Sequence, residues 1–167
     1  MGEDLVRIQT RRVITDGLAL GYQYASSPIV CSDGAAALPS STVEYQPTTL
    51  PGSRAPHAWL SDGRSTLDLF GDGFTLLRLG AGAPKPSTME RAFAQSGVPL
   101  RSVGIADPAV AALYETPLVL VRPDGHVAWR GAQEPADSLV VIDHVRGADA
   151  AAFCLNKDDA SANGIAS

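Results

Sequence analysis

The segment at residues 118–131, which reads LVLVRPDGHVAWRG, restricts the fold more than any other part of the chain. Four consecutive apolar residues, Leu118 to Val121, indicate a strand that is covered on both faces, as strands are in the centre of a sheet. The following Arg-Pro-Asp-Gly has proline and glycine where a type I turn favours them. The sequence therefore predicts a β-hairpin whose first strand lies inside a sheet.

The second strand of this hairpin carries the polar residues. Alternation places Val127 and Trp129 on one face and His126, Ala128 and Arg130 on the other. The hairpin and its flanks hold an acid, two arginines, a histidine and a tryptophan, a density that also occurs in active sites. Because alternation alone explains these polar positions, we interpret the segment as a half-buried edge strand with its polar side chains toward solvent.

Four further elements are predicted upstream of the hairpin and one downstream. In chain order they are a strand at Phe74 to Leu79, a helix with a capping box of Ser87 and Glu90 that ends at Gly97, a strand at Leu100 to Ile105, and a short helix capped by Asp107 that ends near Tyr114. Downstream, the spacing of Leu139 and Ile142 favours a helix before Gly147, although the β-branched run there also fits a strand. A sheet covered by helices accommodates this order.

Composition divides the chain into three regions. Residues 1–73 are predicted to form an irregular extension with short strands, because Tyr22 and Tyr24 have strand spacing and residues 31–54 are rich in turn formers. Residues 74–155 form the regular α/β domain. Residues 156–167 are small and polar, so we expect a disordered tail.

Charge and hydropathy exclude several classes of partner. The net charge is −5 and no cluster of basic residues stands out, so no nucleic-acid partner is expected. The apolar runs are too short to span a bilayer, and the N-terminus lacks a secretory apolar segment. We therefore expect a cytoplasmic protein without a membrane partner.

No catalytic, cofactor-binding or metal-binding residue is predicted. His126 and His144 are interpreted as surface residues, and the separations of the three histidines contain no zinc-binding spacing. The two cysteines, Cys31 and Cys154, are far apart and form no redox motif. His57 is the most attractive single residue, but general acid or base catalysis needs a partner and a cleft. A loop or interface histidine is therefore the default interpretation of His57.

Three segments resemble a known family. They are LGYQYASSPIV, PGSRAPHAWLSDGRSTLDLFGDGFTLLRLG and LYETPLVLVRPDGHVAWRG, and together they resemble the C-terminal region of FAD-dependent aromatic-ring monooxygenases of the phenol hydroxylase and 2,4-dichlorophenol 6-monooxygenase type. The order of elements also resembles the thioredoxin fold, in which a cis proline lies where this chain has Pro117. The resemblance implies a thioredoxin-like sheet flanked by helices, with an irregular N-terminal extension.

The resemblance implies a function only indirectly. In that family a large N-terminal domain holds FAD and NADPH through a Gly-x-Gly-x-x-Gly turn. This chain has only Gly71-Asp72-Gly73 and Gly80-Ala81-Gly82, which both lack the third glycine. The loop GAGAPKPS also lacks the two cysteines of a redox-active thioredoxin. FAD and NADPH are thus implied for a full-length enzyme, and no cofactor is expected in this chain.

The expected role is that of a structural or oligomerisation domain of an aromatic hydroxylase. Its expected partners are a flavin-binding domain, in cis or in trans, and a second copy of the chain. In the resembled family the segment around His57 lies against the flavin-binding domain, so the resemblance implies a candidate docking interface at Arg54, His57 and Trp59. One alternative is a stand-alone thioredoxin-like binding module that docks a separate flavoprotein or dimerises. Another is a small enzyme with an unrecognised site.

Overall fold

The computed structural model describes residues 21–24, 27–35 and 45–148. A 3-10 helix at Thr66–Leu69 precedes the elements β1 (Phe74–Leu79), α1 (Ser87–Gln95), β2 (Leu100–Ile105), α2 (Pro108–Tyr114), β3 (Leu118–Val121), β4 (Val127–Gly131) and α3 (Ser138–Val145). The strands form one sheet in the order β2-β1-β3-β4, with β1 parallel to β2 and the other neighbours antiparallel. The predicted α/β fold, a sheet flanked by helices, is confirmed.

Strand β3 lies in the interior, as its apolar run predicts. All four of its residues are fully buried. Leu120 packs in a cluster with Phe93 of α1 and Ile142 of α3, whereas Val119 packs on the other face with Tyr114 of α2. The sheet is therefore covered on both sides, and the hairpin follows it through a turn in which the Gly125 N–H donates to the Arg122 carbonyl at 2.9 Å.

Side-chain caps begin two of the helices. The Asp107 carboxylate accepts a hydrogen bond from the Ala109 N–H at 2.8 Å, and Pro108 occupies the first helical position of α2, as predicted. The Asp137 carboxylate accepts from the first turn of α3 at 3.0 and 3.2 Å. That cap helps explain why the β-branched run at residues 140–142 forms a helix instead of a strand.

Helix α1 begins differently from the prediction. Ser87 is its first helical residue rather than its cap, the cap position is held by Pro86, and no side chain of the cap residue bonds the helix. The predicted capping box of Ser87 and Glu90 is therefore wrong. Instead, a carboxylate oxygen of Glu134 accepts from the Met89 N–H at 2.7 Å. This cap comes from a loop far along the chain, so local spacing does not reveal it.

The predicted alternation in β4 is also wrong. The pairing of β3 with β4 shifts between Leu120 and Val121, so that Leu120 lies opposite Trp129 and Val121 opposite Val127. Trp129 packs against the cluster under α1 and α3, while Val127 belongs to the cluster under α2. The bulge adds one residue to β4, which puts Val127 and Trp129 on opposite faces.

The outer edge of β4 is covered by the N-terminal extension. The Val127 N–H donates to the Ser53 carbonyl at 2.8 Å, the Gly52 N–H donates to the Val127 carbonyl at 2.7 Å, and the Cys31 N–H donates to the Ala128 carbonyl at 2.9 Å. The described part of the extension is therefore not confined to the surface, since Val30, Cys31, Thr48, Thr49 and Ser53 are buried. The extension completes the sheet because unpaired strand edges leave backbone groups unsatisfied.

Two smaller expectations are corrected. His144 is buried, not exposed, and its Nε2 lies 3.1 Å from the Val30 carbonyl oxygen, because α3 turns this side chain toward the extension. The bond before Pro117 is trans, not cis. The predictions for residues 1–20, the tail at 156–167 and Cys154 lie outside the described residues. No helix in the described ranges has the length and apolarity that a bilayer crossing requires.

A glycine at the start of β1 gives a testable expectation. A Cβ on Gly73 would lie 2.7 Å from the Pro99 carbonyl oxygen and 2.8 Å from the Pro99 Cβ. We expect Gly73→Ala to lower the free energy of unfolding by about 1–3 kcal/mol in urea denaturation, because the backbone at Pro99 must move. Gly71→Ala is the matched control, since no atom lies within 4 Å of its Cβ position. Equal stabilities of the two variants would contradict this expectation.

Candidate functional site

The candidate interface residues lie on one short segment, residues 54–59, of which His57 and Trp59 are exposed while Ala55 and Pro56 are buried. His57 and Trp59 are exposed, and their rings make an edge-to-face contact with centroids 5.1 Å apart. Trp59 is 68% exposed, which is unusual for the largest apolar side chain. Arg54 is partly buried, and its backbone forms a bridge with His126. Among the described residues the contact shown for the His57 ring is the one with Trp59, which leaves this exposed ring available for contact with a partner.

Two tyrosines extend this surface. Tyr22 and Tyr24 are 56% and 46% exposed, with ring centroids 4.7 Å apart. The Tyr24 N–H donates to the Gly52 carbonyl at 2.8 Å, which holds the pair beside the Arg54 segment. We call Tyr22, Tyr24, Arg54, His57 and Trp59 the aromatic surface. Sequence reasoning missed both tyrosines, because only the pairing of residues 23 and 53 brings them to this segment.

His126 lies at the margin of the aromatic surface. Its side chain is only 18% exposed, so the expectation of a surface residue is wrong. Its ring contacts Tyr24 edge to face with centroids 5.1 Å apart, and its Nδ1 lies 3.4 Å from an Asp124 carboxylate oxygen. That distance exceeds the usual range of a hydrogen bond. The ring is therefore held mainly by packing under the tyrosine.

Arg130 explains much of the polar density around the hairpin. Its side chain is 12% exposed, and its Nε donates to an Asp33 carboxylate oxygen at 2.7 Å. Its Nη1 donates to Glu115 at 2.9 Å and to the Thr49 hydroxyl at 3.1 Å. The expectation that this side chain points to solvent is wrong, because the extension folds back over β4. Arg130 thus joins the extension, the hairpin and the end of α2.

The Asp33 carboxylate beside Arg130 has a lowered pKa and is ionised at neutral pH. Burial of Asp33 opposes its ionisation, but the hydrogen bonds from Arg130 and from the Ala35 N–H outweigh burial and lower the pKa of this carboxyl. Glu115 adopts the left-handed conformation with φ 66° as it ends α2, which directs it to the same guanidinium. Because Arg130 is paired with both Asp33 and Glu115, this cluster stabilises the fold and is not arranged for proton transfer.

Cys31 has a buried side chain, which lowers the reactivity of its thiol. Burial raises the pKa of the Cys31 thiol to about 11. In a Cys154→Ser background, we expect iodoacetamide to alkylate Cys31 at pH 8 on the order of 100-fold more slowly than a free cysteine, because the thiolate is the nucleophile. Mass spectrometry over time measures the rate, and urea should restore it. Alkylation of the folded chain at the rate of free cysteine would overturn this expectation.

The two short glycine pairs do not fit a dinucleotide. Gly71 and Gly73 lead into β1, a strand, rather than into a helix. Gly80 forms a turn with φ 86°, and α1 starts only after two further prolines. The Glu134 carboxylate already occupies the N-terminus of α1, where a pyrophosphate would have to bind. A negative side chain at that position repels phosphate, so these loops do not suit FAD or NADPH.

Metal-binding groups and open clefts are the remaining places in the described ranges where chemistry could occur. These ranges contain no group of three His, Cys, Asp or Glu side chains placed to hold a metal ion. An open cleft of about 420 Å³ lies between residues 68–75 and 99–101. Its lining includes Asp68, Asp72 and Arg101 but neither histidine nor cysteine. Asp68 accepts a hydrogen bond from the Ser65 N–H at 2.8 Å, and the Thr75 hydroxyl donates to the Leu69 carbonyl at 3.2 Å, so both of these side chains are engaged in bonds to the backbone.

Comparison with known proteins decides the family. The model of the family described as aromatic-ring hydroxylase, C-terminal, matches residues 48–149, more than half of the chain. The chain belongs to this family. The expectation drawn from the three sequence segments is thus confirmed at the level of the C-terminal region of aromatic hydroxylases.

Relatives and solved structures agree with this assignment. The chain is 42% identical to tetracenomycin B2 monooxygenase-dioxygenase of Streptomyces olivaceus over 81% of this chain and 27% of the relative. It is 37% identical to the FAD-dependent monooxygenase apdD of Emericella nidulans over 74% of this chain and 22% of the relative. The structure of native and K252c-bound RebC-10x aligns with a TM-score of 0.77 and 46% identity, over 87% of this chain and 27% of that one.

The chain spans about a quarter of the length of these relatives. FAD-dependent monooxygenases occur among the relatives, and the part that they share with this chain is the aromatic-hydroxylase C-terminal region.

Proposed function

We propose that this chain is the C-terminal structural domain of an FAD- and NADPH-dependent hydroxylase that acts on a phenol-like aromatic ring. Family membership carries this proposal, because the matched relatives are monooxygenases about four times as long as the shared region. The chemistry would then occur on a flavin held by the remainder of the enzyme. The strand order, with its parallel β1–β2 pair and antiparallel hairpin, supports a thioredoxin-like domain as the scaffold.

The role of this domain would be to dock against the flavin-binding portion. The aromatic surface supports that role, since tyrosine, tryptophan and arginine are the residue types that dominate binding energy in protein interfaces. Trp59, Tyr22 and Tyr24 are three of the large apolar side chains that the described part of the chain leaves exposed. Exposed aromatic groups of this kind are costly in an isolated domain, and burial against a second domain would remove that cost.

If the remainder of the enzyme holds the flavin, the 167-residue chain should neither bind FAD nor oxidise NADPH. Titration of the 167-residue chain with FAD, followed by flavin fluorescence, should show no binding, and NADPH should not be oxidised. Tight FAD binding or NADPH oxidation by the chain would show that it carries a flavin site, and the structural role would be wrong. Sequencing the DNA upstream of the Met1 codon provides the complementary observation, because an in-frame flavin-binding region there supports a domain in cis.

Variants of the aromatic surface test docking. We expect Trp59→Ala to weaken association with the flavin-binding portion, or self-association of the 167-residue chain, by about 30-fold or more, as hot-spot truncations cost 2 kcal/mol or more. Arg54→Ala should act in the same direction. Leu139→Ala is the control, because Leu139 is a 43% exposed apolar residue on α3. Sedimentation of mixtures and of the chain alone measures both equilibria.

The outcomes also separate the proposal from its alternative. A stand-alone module that dimerises through this surface would lose self-association in Trp59→Ala without any flavin-binding partner. Unchanged sedimentation of both Trp59→Ala and Arg54→Ala, alone and in mixtures, would remove the aromatic surface from either role.

A further inference from the structure

The side chain of Arg78 extends from the interior strand β1 toward the β2 edge of the sheet, and its Nε is unpaired within the described residues. The Nε of Arg78, in the middle strand β1, is buried and has no hydrogen-bond acceptor. Within the described ranges Arg78 has no carboxylate partner either, whereas Arg64, Arg122, Arg130 and Arg146 each form an ion pair. Arg78 as a whole is half-buried, but a shielded N–H without an acceptor is unfavourable, because it has lost its bond to water and gained none in the protein. The position of this guanidinium therefore calls for an explanation.

Gly104 lets the guanidinium reach the edge of the sheet. Arg78 pairs with Gly104 across the parallel strands β1 and β2. A Cβ on Gly104 would lie 3.1 Å from the Arg78 Nη2 and 3.7 Å from its Cζ. Gly104 has no positive φ that would require glycine. Its lack of a side chain instead leaves room for the guanidinium to lie across β2.

The outer edge of β2 is the open edge of the sheet in the described part of the chain. Strand β4 is paired on its outer side by the extension, but β2 pairs only with β1. Arg101, Ser102 and Gly104 are exposed along β2. Open edges bind extended peptides through backbone hydrogen bonds, while side-chain contacts set the specificity.

The charges at this edge favour an acidic partner. Strand β2 reads LRSVGI and holds no acidic residue, while Arg101 and the Arg78 guanidinium both lie there. Four aspartates line the clefts beside this strand, but Asp62 pairs with Arg64, Asp107 caps α2 and Asp68 accepts from the Ser65 N–H, which leaves only Asp72 of these four without a partner in the described part of the chain. A second copy would bring one basic edge against another, which like-charge repulsion disfavours. An extended segment with a carboxylate would satisfy the backbone groups of β2 and bring an acceptor to the Arg78 Nη2, which lies beside Gly104.

We propose that the outer edge of β2 binds an extended, carboxylate-bearing segment of the flavin-binding portion, with the carboxylate paired to Arg78. The identity of that donor rests on the proposed function, whereas the strand-binding edge rests on Arg78, Gly104 and β2. Docking would then use two places, the aromatic surface for apolar contact and the β2 edge for strand addition.

A designed peptide tests the edge on the 167-residue chain itself. The probe is the blocked peptide TVEVTV, and its glutamine counterpart TVQVTV is the neutral control. We expect the first peptide to shift the amide signals of residues 100–105 in NMR spectra and to slow their hydrogen exchange. It should bind about tenfold more tightly than the second, the ratio of a charged to a neutral contact.

Variants test whether the preference for the glutamate peptide depends on the charge of Arg78 or on the position of its guanidinium. Arg78→Met should abolish the preference for the glutamate peptide, and Gly104→Ala should weaken it several-fold, because a Cβ there displaces the guanidinium without removing its charge. Arg91→Met, at an exposed arginine on α1, should leave the preference unchanged.

Equal binding of the two peptides, absent binding, or shifts confined to other residues would overturn the proposal. These outcomes are independent of the FAD titration. A chain without a flavin site whose β2 edge ignores the peptide would leave the proposed function intact while removing this inference.

Discussion

Replacing Tyr114 with alanine is expected to lower the free energy of unfolding by about 3–5 kcal/mol, the cost of truncating a buried aromatic side chain. Tyr114 is 0% exposed and is one of the largest fully buried side chains. It packs with Leu77 and Val119 in the layer under α2. Its hydroxyl donates to the Pro56 carbonyl at 2.7 Å, which fastens the extension to that layer.

The control for this change is Tyr114→Phe, which keeps the ring and removes only the hydroxyl. We expect a loss of about 1 kcal/mol, because the Thr66 hydroxyl still donates to the Pro56 carbonyl at 2.8 Å. Burial raises the pKa of Tyr114 to about 12, so its hydroxyl remains a donor across the physiological range. Urea denaturation of both variants provides the measurement. Similar losses in the two variants would show that the hydroxyl, not the packing, carries the effect.

Replacing Arg130 with methionine is expected to lower the free energy of unfolding by about 2–3 kcal/mol. Three acceptors lose their donor at once, namely Asp33, Glu115 and the Thr49 hydroxyl. Removing one partner of a buried pair typically costs about 3–5 kcal/mol. The smaller figure applies here, because the side chains of Asp33 and Glu115 are 28% and 51% exposed and water replaces part of the interaction.

The control is Arg122→Met. Arg122 is 22% exposed and pairs with Asp124 inside the same turn, so we expect a loss of about 1 kcal/mol or less. An Arg130→Met variant as stable as Arg122→Met would show that the cluster around Arg130 does not hold the extension in place.

The pH dependence gives an independent check on Arg130. The pKa of Asp33 is lowered in the folded chain, so Asp33 contributes stability above its unfolded pKa of about 3.9, and that contribution disappears as the pH falls through the folded pKa. The stability difference between the parent chain and Arg130→Met should therefore be constant from pH 6 to 8 and shrink below about pH 4. A difference that stays constant to pH 3 would remove Asp33 from the cluster's energetics.

Local sequence patterns were sufficient for most of the sheet and helices. The run Leu118 to Val121 marks an interior strand, because only a strand covered on both faces has no polar position. The turn before Gly125 and the cap at Asp107 were predicted for the same reason, since each depends on a few adjacent residues. The family resemblance likewise came from short segments in a fixed order, and the family match confirms it.

Contacts between distant residues explain what sequence reasoning missed. Glu134 caps α1 from a loop beyond β4, and no spacing rule connects it with Met89. The bulge opposite Leu120 reversed the expected face of Trp129. The predicted interface contained Arg54, His57 and Trp59. Tyr22 and Tyr24 lie beside it only because the backbone of residues 23 and 24 pairs with residues 52 and 53.

The sequence by itself determined the elements, the interior position of β3 and the family, because propensity, turn chemistry and hydrophobic runs act between neighbours along the chain. Only the tertiary structure decided where the extension lies. By pairing with β4 it buries Arg130 among acceptors and turns a polar face into an ionic cluster. Within the described residues, the same fold leaves the Nε of Arg78, whose guanidinium lies beside Gly104, without a hydrogen-bond acceptor. The physical reason is that the state of a charged side chain depends on which distant groups fold against it.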